Sequence, residues 1–185
     1  MSNILDLLLA DENRETLEQV SKQFDLGEKE TRAAVEELIP ALSRGLQKNT
    51  SEGEGMDDLL DALRTGKHER YMEKTGSLGS PATVEDGNSI LGHIFGNKQT
   101  SREVANRAAQ RSGVSSSILK KMLPVLASVV MGSLSKQVLG GSSRRGNAPT
   151  TRADSGGLLT SLLDSDRDGS IWDDVLGMAA RGLVR

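Results

Sequence analysis

Apolar residues recur every three to four positions along most of the chain, the spacing of helices that bury one face. Leu17, Val20 and Phe24 predict a helix over 13–24, broken at Asp25-Leu26-Gly27. From Glu28 onward, Ala34, Val35, Leu38, Ile39, Leu42 and Leu46 form the stripe of a longer helix. Pro40 interrupts it. A proline inside a helix removes a backbone hydrogen bond at a cost of about 3 kcal/mol, so a kink or boundary is expected at Ile39. A polar break over 47–55 precedes a short helix over 56–63, with Asp57 and Asp58 in the first turn, where the helix dipole favours them.

Gly76 to Ser80, followed by Pro81, reads as a flexible connection. Ile90, Leu91, Ile94 and Phe95 then make a compact helical face closed by Gly96. Another helix over 101–111 carries Ala105, Ala108 and Ala109, small enough for close helix approach. Ser115 is placed to cap a long apolar helix through Ile118, Leu119, Met122, Leu123, Leu126, Val130 and Leu134. Between 122 and 134 that helix is apolar nearly all round, so it belongs in the middle of a bundle. Leu38-Ile39-Pro40-Ala41-Leu42 resembles Met122-Leu123-Pro124-Val125-Leu126, and each follows a helix, a break and the start of another helix. The predicted fold is all-α: a multi-helical bundle of two related helical units with a flexible linker and a short acidic-loop and helix tail. The expected boundaries are an N-terminal unit over 1–75, a flexible connection over 76–87 and a second unit over 88–139. A disordered Gly/Ser/Arg linker over 140–157 and an acidic loop and helix over 158–185 complete the chain.

Composition supports helices over sheets. Aromatic residues make up 2% of the 185 residues, namely Phe24, Tyr71, Phe95 and Trp172, whereas sheets lean on aromatic and β-branched side chains. The same scarcity weakens any base-stacking model of single-strand binding. Cysteine is absent, which excludes disulfides and thiolate chemistry and fits a reducing, cytoplasmic setting. The first residues lack the basic and apolar regions of a signal peptide. The 13-residue apolar stretch over 122–134 is shorter than the roughly 20 residues of a membrane span, so no membrane association is expected.

Net charge is −3, unevenly spread. Residues 1–66 carry −8, residues 102–152 carry +8 with Glu103 as their one acid, and residues 153–185 carry −3. Such asymmetry arises when acidic and basic parts attract one another within a fold, or when a basic face meets an anionic partner.

Gly92-His93-Ile94-Phe95-Gly96-Asn97-Lys98-Gln99, Ser112-Gly113-Val114-Ser115, Met122-Leu123-Pro124-Val125-Leu126-Ala127 and Val130-Met131-Gly132 resemble a bacterial family. Gly156-Gly157-Leu158-Leu159, Leu163-Asp164 and Asp168-Gly169-Ser170 add to the likeness. That family is known as domain of unknown function nine-three-seven and is related to the YidB-like proteins. The resemblance covers nearly the whole chain, most specifically 88–137 and 156–178. It implies a helical bacterial protein and brings no activity.

Asp164-Ser165-Asp166-Arg167-Asp168-Gly169-Ser170-Ile171 follows the start of an EF-hand calcium loop. Carboxylates at positions 1, 3 and 5 turn oxygens inward, glycine at 6 permits the sharp turn, and Ser170 at 7 supplies a carbonyl. Position 12 is Val175 where a bidentate glutamate belongs, and Asp173 and Asp174 are its nearest substitutes. Ca2+ bound there would order the terminal helix. A solvated acidic turn is the competing reading.

Ala109, Gly113-Val114-Ser115, Leu119 and Met122 also match helix-turn-helix spacing, with Ser116, Ser117, Lys120 and Lys121 on the second helix. Arg102, Arg107, Arg111, Arg144 and Arg145 would add phosphate contacts. An ordinary bundle corner obeys the same packing rules. No G-x-S-x-G elbow, phosphate-binding G-x-x-x-x-G-K or H-E-x-x-H occurs, and His68 and His93 are the two histidines, so catalysis is not expected. The functional expectation is a non-catalytic module that binds an unknown protein partner or itself, with a calcium-binding tail. The alternative is nucleic-acid binding through 102–122.

Overall fold

Capping residues mark where several helices start. Ser80 Oγ accepts from Thr83 N at 3.3 Å with Pro81 at the first helical position. Asn97 Oδ1 accepts from Thr100 N at 2.8 Å, and Ser115 Oγ accepts from Ile118 N at 3.4 Å. The computed structural model describes residues 4–51, 55–66, 70–144, 157 and 159. Among these the helices are α1 (Ile4–Leu9), α2 (Arg14–Phe24), α3 (Glu28–Ser51), α4 (Gly55–Thr65), α5 (Arg70–Glu73), α6 (Pro81–Phe95), α7 (Lys98–Ser112) and α8 (Ser116–Arg144). Short 3-10 turns lie at Asp11–Asn13 and Thr75–Ser77, and no strand occurs among the described residues. The all-α bundle is as the hydrophobic spacing predicts.

Helix α8 is the axis. Helices α3, α4, α5, α6 and α7 pack around it and α1 reaches it. Every residue over 122–135 is buried, as expected of the stretch apolar on all sides. By length and composition α8 is the one described helix able to cross a membrane; 78% of its most apolar window is buried inside the bundle. Its few polar side chains join helices. Ser135 Oγ donates to Leu63 O at the end of α4 (3.1 Å), satisfying a carbonyl in the last turn of that helix. Ser128 Oγ lies 3.2 Å from both Thr83 O in α6 and Pro124 O in its own helix.

Glycine permits the tightest crossings. A Cβ on Gly87 would lie 2.0 Å from Pro124 O, so α6 meets α8 backbone to backbone. A Cβ on Gly45 would lie 2.3 Å from Ile94 Cγ2, where α3 meets α6.

The paired motifs reappear in three dimensions. Helices α2 and α3 are joined through Asp25 in the left-handed conformation (φ 52°), and α7 and α8 through Gly113 (φ 74°). The second helix of each pair is long and contains a proline, Pro40 or Pro124. The two pairs share one continuous core, from Ile4 through Leu38 and Leu91 to Val138.

Four expectations change. Of the kink or boundary expected at Ile39, the boundary does not occur: α3 continues through Pro40, because Leu38, Ile39, Ala41 and Leu42 are all buried and tertiary packing outweighs the lost backbone bond. It also runs into the supposed polar break, ending at Ser51, whose Oγ donates to Gln47 O at 2.7 Å. The supposed connection over 76–87 is packed structure. Leu78, Thr83 and Gly87 are buried, and α6 starts at Pro81, the Ser-Pro pair acting as cap and first helical residue where a loop was read. Finally, α8 extends through Arg144 into the expected 140–157 linker, and Leu159 is fully buried in the common core. Apart from Gly157, the rest of that linker and tail lies outside the described residues.

Candidate binding cleft

A cleft of about 650 Å3 opens between the C-terminal half of α3, the helices α4 and α6, and α8. Its floor is apolar: Leu46 from α3, Leu59 from α4, Ile90 and Ile94 from α6, and Met131 from α8. These are the inward stripes of four helices meeting, and the floor is continuous with the core. Exposed Asp58 of α4 and exposed Ser89 and His93 of α6 stand on the rim. Asp57, Asp58 and Asp61 make the solvent side of α4 acidic. Asn49 Nδ2 donates to His93 O at 3.0 Å, tying the end of α3 to the end of α6.

One end of the cleft holds a compact polar group. Arg70 Nη2 lies 2.5 Å from Asp86 Oδ2 and 2.8 Å from Tyr71 OH, and that hydroxyl donates to the same Asp86 oxygen. The Arg70 guanidinium also stacks 4.9 Å from the centroid of the Tyr71 ring. Burial pushes the Tyr71 hydroxyl above the ordinary tyrosine range, and the bond to Asp86 pushes the same way, since a phenolate would face a carboxylate. Arg70 is held even more firmly protonated, first by Tyr71 and then by Asp86.

Among the described residues, several polar groups of the cleft are engaged in structural bonds. Ser89 Oγ donates to Glu85 O at 3.2 Å, Asp86 is taken up by Arg70 and Tyr71, and His93 contributes its main-chain carbonyl. A nucleophile–imidazole–carboxylate chain needs contacts of about 2.6–3.2 Å between those side chains. His93 is exposed at the rim. His68 lies outside the described residues.

The loop residues Asp164, Asp166, Asp168, Ser170, Asp173 and Asp174 also lie outside the described residues. Among those described, no cluster of three or more histidines and acids is placed to hold a metal ion. The basic stretch divides. Arg111 Nη1 pairs with Glu37 Oε2 across α7 and α3 at 3.6 Å, so part of it faces the protein's own acidic half. Arg102, Ser117, Lys120 and Lys121 are exposed, while Arg107 and Ser116 are partly buried. Arg144 ends α8, and Arg145 lies beyond the described residues. Only the first two turns of α8 reach solvent before the helix enters the core, a short surface for reading a DNA groove.

The Arg70–Tyr71–Asp86 group had no signal in the sequence. Asp86 on α6 lies 15 and 16 residues from Tyr71 and Arg70 on α5, and only Tyr71, as one of four aromatics, stood out.

The family model described as "Bacterial protein of unknown function (DUF937)" matches residues 6–137. The chain belongs to that family. The DUF937 match begins in α1 and ends within α8, so the whole cleft lies inside it, whereas residues 156–178 and their acidic loop fall outside. No curated protein and no solved structure matches the chain.

Proposed function

We propose that this DUF937 protein is a non-catalytic interaction module whose cleft seats an amphipathic helix of a protein partner, apolar on one face and basic along its flank. The observation that carries the reading is the pairing of the apolar floor, Leu46, Leu59, Ile90, Ile94 and Met131, with the acidic side of α4. Grooves between helices floored by aliphatic and Met side chains take the apolar face of a partner helix, and the rim charges select its flank. The involvement of Ser89, Asp86 and Asn49 in structural bonds supports a binding role over a catalytic one. Calcium binding by the acidic tail belongs to the same proposal, as a means of ordering the terminal segment.

The test uses a fluorescent peptide with leucines on one helical face and lysines along its flanks, titrated with the full-length protein. Expected are saturable anisotropy at micromolar protein and weakening as salt rises. Asp58→Lys reverses the rim charge and Ser89→Arg blocks the edge; both positions are exposed, so the fold is retained. Each is expected to weaken binding at least tenfold. Absence of binding, or binding unchanged in both variants, refutes the proposal.

A further inference from the structure

The chain itself carries a segment whose chemistry fits the cleft. Residues 160–185 lie outside the described residues, but their sequence has a helical pattern of its own. Trp172, Val175, Leu176, Ala179 and Leu183 fall at i, i+3, i+4, i+7 and i+11, one face of a helix about three turns long. From Val175 to Arg185 the charged residues are Arg181 and Arg185, with no acid among them. Gly177 and Gly182 make such a segment a weak helix by itself, so it needs a surface against which to bury that face. Among the described residues, the apolar groove between α2, α6 and α8 has Lys120 and Lys121 beside Asp25 on its rim, a net positive charge that opposes the two arginines. The cleft, with the acidic side of α4 along it, attracts them.

We infer that residues 171–185 turn back on their own bundle and cover the cleft, as an internal occupant that a partner helix must displace. The inference rests on the reading of the cleft as a groove for a helix and adds its regulation. The apolar face lies on the floor of Leu46, Leu59, Ile90, Ile94 and Met131, and Arg181 and Arg185 lie toward α4, where Asp58 is exposed. The chain can reach. Leu159 is fully buried in the common core, so the sequence rejoins the bundle there. The dozen or so residues from 159 to 171 span up to about 40 Å, against a radius of gyration of about 15 Å for a compact chain of this size. A segment tethered so closely acts at an effective concentration of about millimolar, so at micromolar protein it outcompetes the same segment of a second copy.

The chain has no cysteine, so Ser89→Cys or His93→Cys, each at an exposed position on the cleft rim, gives the full-length protein a single site for a bimane label. A tryptophan in contact quenches bimane, and Trp172 is the sole tryptophan. Expected is at least twofold quenching at one or both positions, independent of protein concentration and relieved by Trp172→Phe. A label at Arg102→Cys, exposed on α7 outside the cleft, is expected to show no such relief. Leu176→Asp spoils the apolar face and Arg181→Glu reverses the charge. Each is expected to relieve the quenching and to tighten binding of the leucine–lysine peptide at least fivefold. Quenching at neither rim position, or equal quenching at the α7 position, overturns the inference. Quenching that grows with protein concentration puts a second copy's segment in the cleft and overturns the internal assignment. Unchanged peptide affinity in both tail variants overturns it as well. A peptide that binds neither the parent nor the variants refutes the partner reading alone, because the quenching is measured without peptide.

Discussion

Helix α6 offers the same substitution at two positions with opposite expected outcomes. Gly87 and Gly92 both lie inside Pro81–Phe95, and alanine at either gains about 1 kcal/mol of helix propensity over glycine. At Gly92 a new Cβ meets nothing within 4 Å, so that gain is realised. At Gly87 it would sit 2.0 Å from Pro124 O and 2.5 Å from Pro124 C. Real Cβ atoms do not come within 3.0 Å of a neighbour, and both neighbours here are main chain, so α6 and α8 must part by about 1 Å. A gap of that size forfeits about a quarter to a half of each affected dispersion contact, at about 0.1–0.2 kcal/mol per atom pair. Over the several dozen pairs on this seam that amounts to about 2–4 kcal/mol, in line with overpacked cores. The net expectation is that Gly87→Ala destabilises by about 1–3 kcal/mol and Gly92→Ala stabilises by about 1 kcal/mol. Urea titrations followed by circular dichroism at 222 nm read the difference as a shift in midpoint at constant slope. If Gly87→Ala proves as stable as Gly92→Ala, the backbone crossing at Pro124 is wrong, and with it the packing of α6 that forms one wall of the cleft.

Tyr71 is the sole tyrosine, so its ionisation can be followed by absorbance near 295 nm and is expected above the ordinary value of about 10. The folded chain holds this proton more tightly than the unfolded one, so the associated stability is complete below about pH 10 and falls as pH rises beyond it. Asp86→Asn removes one cause of the shift and is expected to lower the midpoint; an unchanged midpoint counts against the Tyr71–Asp86 bond. Ser135→Ala leaves Leu63 O without its partner in a fully buried place and is expected to cost about 1–2 kcal/mol by chemical denaturation. Arg111→Ala breaks a half-exposed pair and is expected to cost less than about 1 kcal/mol, a difference that disappears in high salt. For the acidic tail, calcium is expected to change the fluorescence of Trp172, the sole tryptophan, and Asp166→Ala to abolish the change; no response in the parent protein ends the calcium proposal.

Local chemistry in the sequence determined a good deal. The 3.6-residue periodicity specified helices, the solid apolar stretch over 122–134 specified a central one, and Ser115 and Gly96 marked helix ends where the structure has them. The likeness between the Pro40 and Pro124 segments anticipated two helix pairs, whose junctions the structure turns through left-handed residues. These features survive because spacing and capping act within a turn or two of chain. Tertiary packing decided the rest. Whether Pro40 ends a helix depends on what holds its flanks, and the helix that Ser80-Pro81 caps is held in place by the packing of Thr83 and Gly87 on α8. The cleft and the Arg70–Tyr71–Asp86 group arise where separate helices meet. Their energies belong to contacts between elements, which no single stretch of residues encodes.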